Sequence, residues 1–71
     1  MSDDRNEHQE WLNAVETALA KQMKWTVYEA REHIDFQMSV TRAELAAMYY
    51  EKEMLPETAA DEIASVIHAS A

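Results

Sequence analysis

The stretch MYYEKEMLPETAADEI (Met48–Ile63) decides how this chain is built. It reads as two helices meeting at a corner. The residue before a proline disfavours the α region, so Pro56 ends the helix that carries Met48, Tyr49, Tyr50 and Met54. Proline suits the first turn of the next helix, where its missing N–H is not needed. A pair of helices joined this way is also how many repressors present a recognition helix to DNA. Here the second helix offers Glu57, Asp61 and Glu62, where a DNA reader places Arg, Lys, Asn or Gln.

Two more helix starts lie upstream of the corner. TRAE (Thr41–Glu44) and TVYE (Thr26–Glu29) both fit the capping box, in which a Thr hydroxyl accepts from the backbone N–H three residues on and a Glu reaches back. The helix from Thr41 carries Ala43, Leu45, Ala46, Met48, Tyr49, Tyr50 and Met54. The helix from Thr26 has the stripe Val27, Ala30, Ile34 and Met38, and Arg31 and Asp35 are spaced to pair at i,i+4. A longer helix precedes it, from about Asp3 or Asp4 to about Lys24. Its stripe is Trp11, Leu12, Val15, Ala18, Leu19 and Met23, with acids at the start and Lys21 and Lys24 at the end to complement the dipole. The last helix, running to about His68, turns Ala60, Ile63, Ala64 and Ile67 inward. Residues 1–6 are expected to fray. Val, Phe and Ile in residues 33–40 leave that segment undecided between helix end and short strand.

The sum is one all-α domain over residues 1–71, a small bundle of three to four short helices. Composition agrees: glycine is absent, proline occurs once, and a sheet would need Gly, Asn or Asp in its hairpins. By size scaling an 8.2 kDa chain exposes ~4,500 Å² folded and ~12,000 Å² unfolded. Burying the apolar ~60% of the difference is worth ~110 kcal/mol. Conformational entropy removes about as much. With no cysteine to form disulfides, self-association is the common remaining stabiliser. A homodimer is therefore expected, its seam on the first or third helix. The first has the cleaner stripe, and Leu19→Glu is expected to dissociate such a dimer.

Charge is unevenly placed. Residues 1–20 carry five acids and one base, residues 21–52 carry five of each, and residues 53–71 carry Glu53, Glu57, Asp61 and Glu62 without a base. A net charge of −8 repels nucleic acid, whose binding depends on Lys and Arg at phosphates, and disfavours anionic membranes. No apolar run approaches the ~18 residues of a membrane span. The polar, acidic start is unlike a signal peptide, so a soluble, cytoplasmic protein is expected.

The residues give catalysis no anchor. Ser39 is close to His33 in sequence, but without glycine neither a GxSxG turn nor a phosphate-cradling loop forms. His8, His33 and His68 make no HxxxH or HExxH pattern, and Glu29 with His33 supplies two ligands where zinc needs three or four. The three are expected to be ordinary surface histidines, with no metal or other cofactor. In size, acidity and helix number the chain resembles acyl carrier proteins. They attach their prosthetic group to Ser in an Asp-Ser-Leu motif. Here Ser39 sits in QMSV with Met38 in the Asp position, and the loop glycines are missing. The resemblance implies a four-helix fold and nothing of that activity.

The aromatic and methionine load is more informative. Trp11, Val27, Ile34, Leu45, Ile63 and Ile67 can fill a core. Tyr49 and Tyr50 are about 100° apart on their helix, so both cannot face one centre. Tyr28 and Phe36 fall off their stripe. Trp25, Tyr28, Phe36, Tyr50 and Met54 are thus candidates for an interface with another protein or a second copy. A non-enzymatic interaction or accessory module is the leading expectation. The alternative is a nucleic-acid mimic, with Glu57, Asp61 and Glu62 as the acidic surface that occupies a basic groove. The helix starts are testable at once. Thr26→Ala and Thr41→Ala should each cost about 1 kcal/mol in urea unfolding, and unchanged midpoints would mean that the starts are misplaced.

Overall fold

The computed structural model describes residues 3–36 and 40–70. Four helices follow one another: α1 (Asp3–Met23), α2 (Val27–Asp35), α3 (Arg42–Tyr50) and α4 (Pro56–Ser70). Among the described residues there is no strand, and His33 to Asp35 belong to α2. The all-α bundle is as the sequence implies. Gln37, Met38 and Ser39, on which the question of a strand partly turned, lie outside the described residues. The expected fraying includes Met1 and Ser2, also outside them, whereas Asp3 to Asn6 are helical. Among the described residues no helix is long and apolar enough to cross a membrane.

α1 is the spine. α4 packs along one flank and α2 along another. Glu16 meets Arg31, while Leu12 is near Ile34, so α2 runs antiparallel to α1. Ala14 is near Leu55 and Pro56, while Gln22 bonds Asp61, so α4 runs parallel to it. Val15, Leu19 and Ile63 are the largest fully buried side chains, and Ala20, Ala30, Ala59, Ala60 and Ala64 fill the seams. Alanine at a seam lets backbones approach closely without loss of helix propensity. Within the chain, Trp11, Val15 and Leu19 of the α1 stripe are buried in the core, and Leu12, Ala18 and Met23 are half-buried against it. A Leu19→Glu change would bury a charge in that core.

The caps explain the corners. At Thr26 both arms of the box form: Glu29 N–H donates to the hydroxyl at 3.1 Å, and Thr26 N–H donates to the Glu29 carboxylate at 2.9 Å. At Thr41 the hydroxyl accepts from Glu44 N–H at 3.1 Å, but Glu44 accepts from the same hydroxyl at 3.3 Å. α1 ends in a Schellman turn: Lys24 is left-handed at φ 59°, and Trp25 N–H reaches back to the Ala20 carbonyl at 2.9 Å.

Three expectations fail here for identifiable reasons. α3 stops at Tyr50, not at Pro56, because Glu51 and Lys52 N–H both turn onto the Ala47 carbonyl and Glu53 is left-handed at φ 48°. Met54 therefore lies in the connection, its N–H on the Met48 carbonyl at 3.0 Å. Val27, expected in the core, is exposed at the first turn of α2. Arg31 turns away from Asp35 toward Glu16 on α1, at 3.2 Å. Glu16 is only 4% exposed and accepts this bond at the edge of the apolar stripe. Glu16 is buried while the Arg31 side chain is 53% exposed, so the pairing supplies a partner to a carboxylate that water reaches poorly, whereas Asp35 is solvated.

Left-handed Lys24 carries a steric cost that glycine avoids. Lys24→Gly should therefore stabilise the fold by about 0.5–1 kcal/mol, read as a higher urea midpoint. A lower midpoint would show that the Lys24 side chain contributes more than its backbone costs.

Candidate protein-docking surface

Helix α4 begins awkwardly. Leu55 precedes Pro56 and its carbonyl accepts from Ala59 N–H at 2.9 Å, which makes it the N-cap residue. Its side chain has no oxygen with which to cap. Ser, Thr, Asp or Asn would do better by about 1 kcal/mol. That side chain is also 70% exposed. It stands in a groove of about 710 Å³ between α1 and the start of α4. Ala14, Ala18, Leu55 and Pro56 give the groove apolar walls, and Thr17, Lys21, Gln22, Glu57 and Asp61 are its polar groups. Gln22 Nε2 donates to the Asp61 carboxylate across it.

The candidate acidic surface is therefore divided. Glu57 and Asp61, four residues apart, share the groove side of α4. Glu62 lies about 100° further round the helix. Exposed carboxylates also occur on every other helix: Glu7 and Glu10 on α1, Glu29, Glu32 and Asp35 on α2, and Glu44 on α3.

The candidate interface residues divide as well. Tyr28 and Phe36 are largely exposed on the outer side and end of α2. Trp25 is half-buried against the core with its ring 5.3 Å from that of His33. Met54 too is half-buried, and its carbonyl accepts from the Trp11 indole N–H at 2.8 Å. Tyr50 is 54% exposed while Tyr49 packs on the core, the divergence that their spacing demands. Sequence reasoning placed Leu55 nowhere. The available signal was a leucine immediately before a helix-opening proline, where a capping side chain belongs.

Two histidines depart from the surface role expected of them. His8 is half-buried among Trp11, Tyr49 and Tyr50, with ring centroids at 6.2, 4.8 and 5.2 Å. Its Nε2 is buried without a hydrogen-bond partner. His33 is half-buried beside Trp25, and desolvation lowers its pKa below the usual value. His68 is exposed. Among the described residues, no three His, Cys, Asp or Glu side chains are grouped to hold a metal ion.

No family model matches the chain, and no curated protein or solved structure matches it significantly.

Proposed function

We propose that this chain is a small, non-enzymatic interaction module that binds a partner protein through the groove between α1 and the start of α4. The observation that carries the reading is Leu55. A leucine at an N-cap weakens its helix, and a leucine 70% exposed gains little from folding. Positions at which a sequence breaks its own local rules are where function is to be sought. A partner side chain covering Leu55, Ala14, Ala18 and Pro56 would supply the burial that folding does not. Thr17, Lys21, Gln22, Glu57 and Asp61 make a polar rim of the kind that surrounds interface cores.

The spread of carboxylates over all four helices favours this reading over mimicry of nucleic acid, for which a single phosphate-like row is needed. Leu55→Ser separates stability from binding. It should raise the urea midpoint by up to about 1 kcal/mol of stability, because a cap is gained. It should also reduce co-purification of a stoichiometric partner from the native host at least tenfold. Light scattering on the purified chain tells a second copy from a different protein. The groove reading fails if capture survives Leu55→Ser. Capture that instead collapses in 0.5 M salt and on joint Glu57→Gln, Asp61→Asn and Glu62→Gln substitution would establish the mimic.

A further inference from the structure

The left-handed turn after α3 builds a second recess, separate from the groove. It is about 390 Å³ and is lined by Trp11, Tyr49, Tyr50, Glu53 and Met54. Three aromatic rings and one carboxylate meet there, and the His8 ring, outside the lining, packs against the same three rings. The Tyr49 and Tyr50 rings are 4.7 Å apart at 84°, and Trp11 stands edge-on to Tyr49 at 5.4 Å and 60°. Perpendicular ring planes make a corner. The faces of such rings carry negative potential, which attracts a cation within about 6 Å of the centroid. The Trp11 N–H, the one strong donor of that ring, is already committed to the Met54 carbonyl. Trp11, 8% exposed, forms the floor of the recess, and Tyr50, 54% exposed, offers the accessible ring face.

Glu53 places a formal negative charge beside these rings. Its backbone is left-handed at φ 48°, a conformation that costs a glutamate energy and that glycine, asparagine or aspartate adopts more readily. Glu53 is the one formally charged residue among those lining the recess. Lys52 is in the same turn but is not among the lining residues. With the chain at −8, a cationic ligand is drawn in and an anionic one is repelled.

We propose that this recess holds a lysine or arginine side chain of a partner protein, by cation–π contact with the exposed Tyr50 ring and ion pairing to Glu53, over a floor made by Tyr49 and Trp11. The proposal rests on the reading of the chain as an interaction module and names the partner's chemistry at a second point. Its test does not pass through the groove. A blocked peptide of alternating arginine and alanine is titrated into ¹⁵N-labelled protein, beside the same peptide with citrulline, the uncharged isostere of arginine. The two tryptophans give two indole N–H signals, which Trp25→Phe assigns.

The Trp11 signal should move with the arginine peptide and stay still with the citrulline one. Tyr50→Ala should weaken binding about fivefold or more, the size of one cation–π contact, and Tyr50→Phe should retain it. Glu53→Gln should weaken it about threefold. Leu55→Ser should leave the titration unchanged, so a failed recess and a failed groove are told apart. Equal binding of the citrulline peptide would overturn the proposal. So would unchanged affinity in Tyr50→Ala, or shifts centred on Glu57 and Asp61 with Trp11 unmoved. Tyr50 is more than half exposed, so the fold should survive its truncation; if Tyr50→Ala loses its dispersed spectrum, the Phe and Gln variants decide alone.

Discussion

The arrangement of the two ends of this molecule depends on one hydrogen bond, from the Trp11 indole N–H to the Met54 carbonyl at 2.8 Å. It joins positions 43 residues apart. α3 does not lie along α1 as α2 and α4 do. It is held by Leu45, Met48 and Tyr49, and by the turn that follows it. That turn is fixed from two sides: Met54 N–H bonds back to Met48, and Met54 C=O is bonded by Trp11. Two residues later α4 begins, already beside α1. Trp11 is 8% exposed, so an unpaired indole N–H there would cost about 1–3 kcal/mol. The bond is therefore one that the fold must make.

From that anchor the rest follows with small residues. Parallel α1 and α4 are joined through Ala59, Ala60, Ile63 and Ala64, and antiparallel α2 through Ala30 and Ile34. Alanine seams bring helices together but bury little area each. The folded chain exposes 4973 Å², more than the ~4,500 Å² that size scaling gives for its mass. The excess is consistent with the open groove and recess, and with Tyr28, Phe36, Tyr50 and Leu55 left outside. On the α2 side the Glu16–Arg31 pair adds a directional contact that alanine cannot supply.

What was legible in the sequence was local. Thr26 and Thr41 cap where their spacing to Glu29 and Glu44 says they must. Pro56 opens α4, and Trp11, Val15 and Leu19 face inward, because caps and periodicity act within a few residues. What was illegible depended on distant partners. Arg31 has a carboxylate at i+4, yet the one it takes is on another helix. The turn that ends α3 well before Pro56 leads to Met54, whose carbonyl is bonded from 43 residues away, a contact that no local signal announces. Of the candidate interface residues, Tyr28, Phe36 and Tyr50 are exposed, whereas Trp25 and Met54 are half consumed by packing. Leu55 received no role because its exposure depends on how the start of α4 sits against α1, which no local signal carries.

The claim that the Trp11–Met54 bond governs the fold is tested most directly by native-state hydrogen exchange of the Trp11 indole proton in ¹⁵N-labelled protein. If the account is right, that proton exchanges only through opening of the whole domain. Its protection then matches that of the slowest amides of α1 and α4 and falls with them as urea is added. An indole proton that exchanges freely while those amides stay protected would contradict it, and would make the turn after α3 an independently opening appendage.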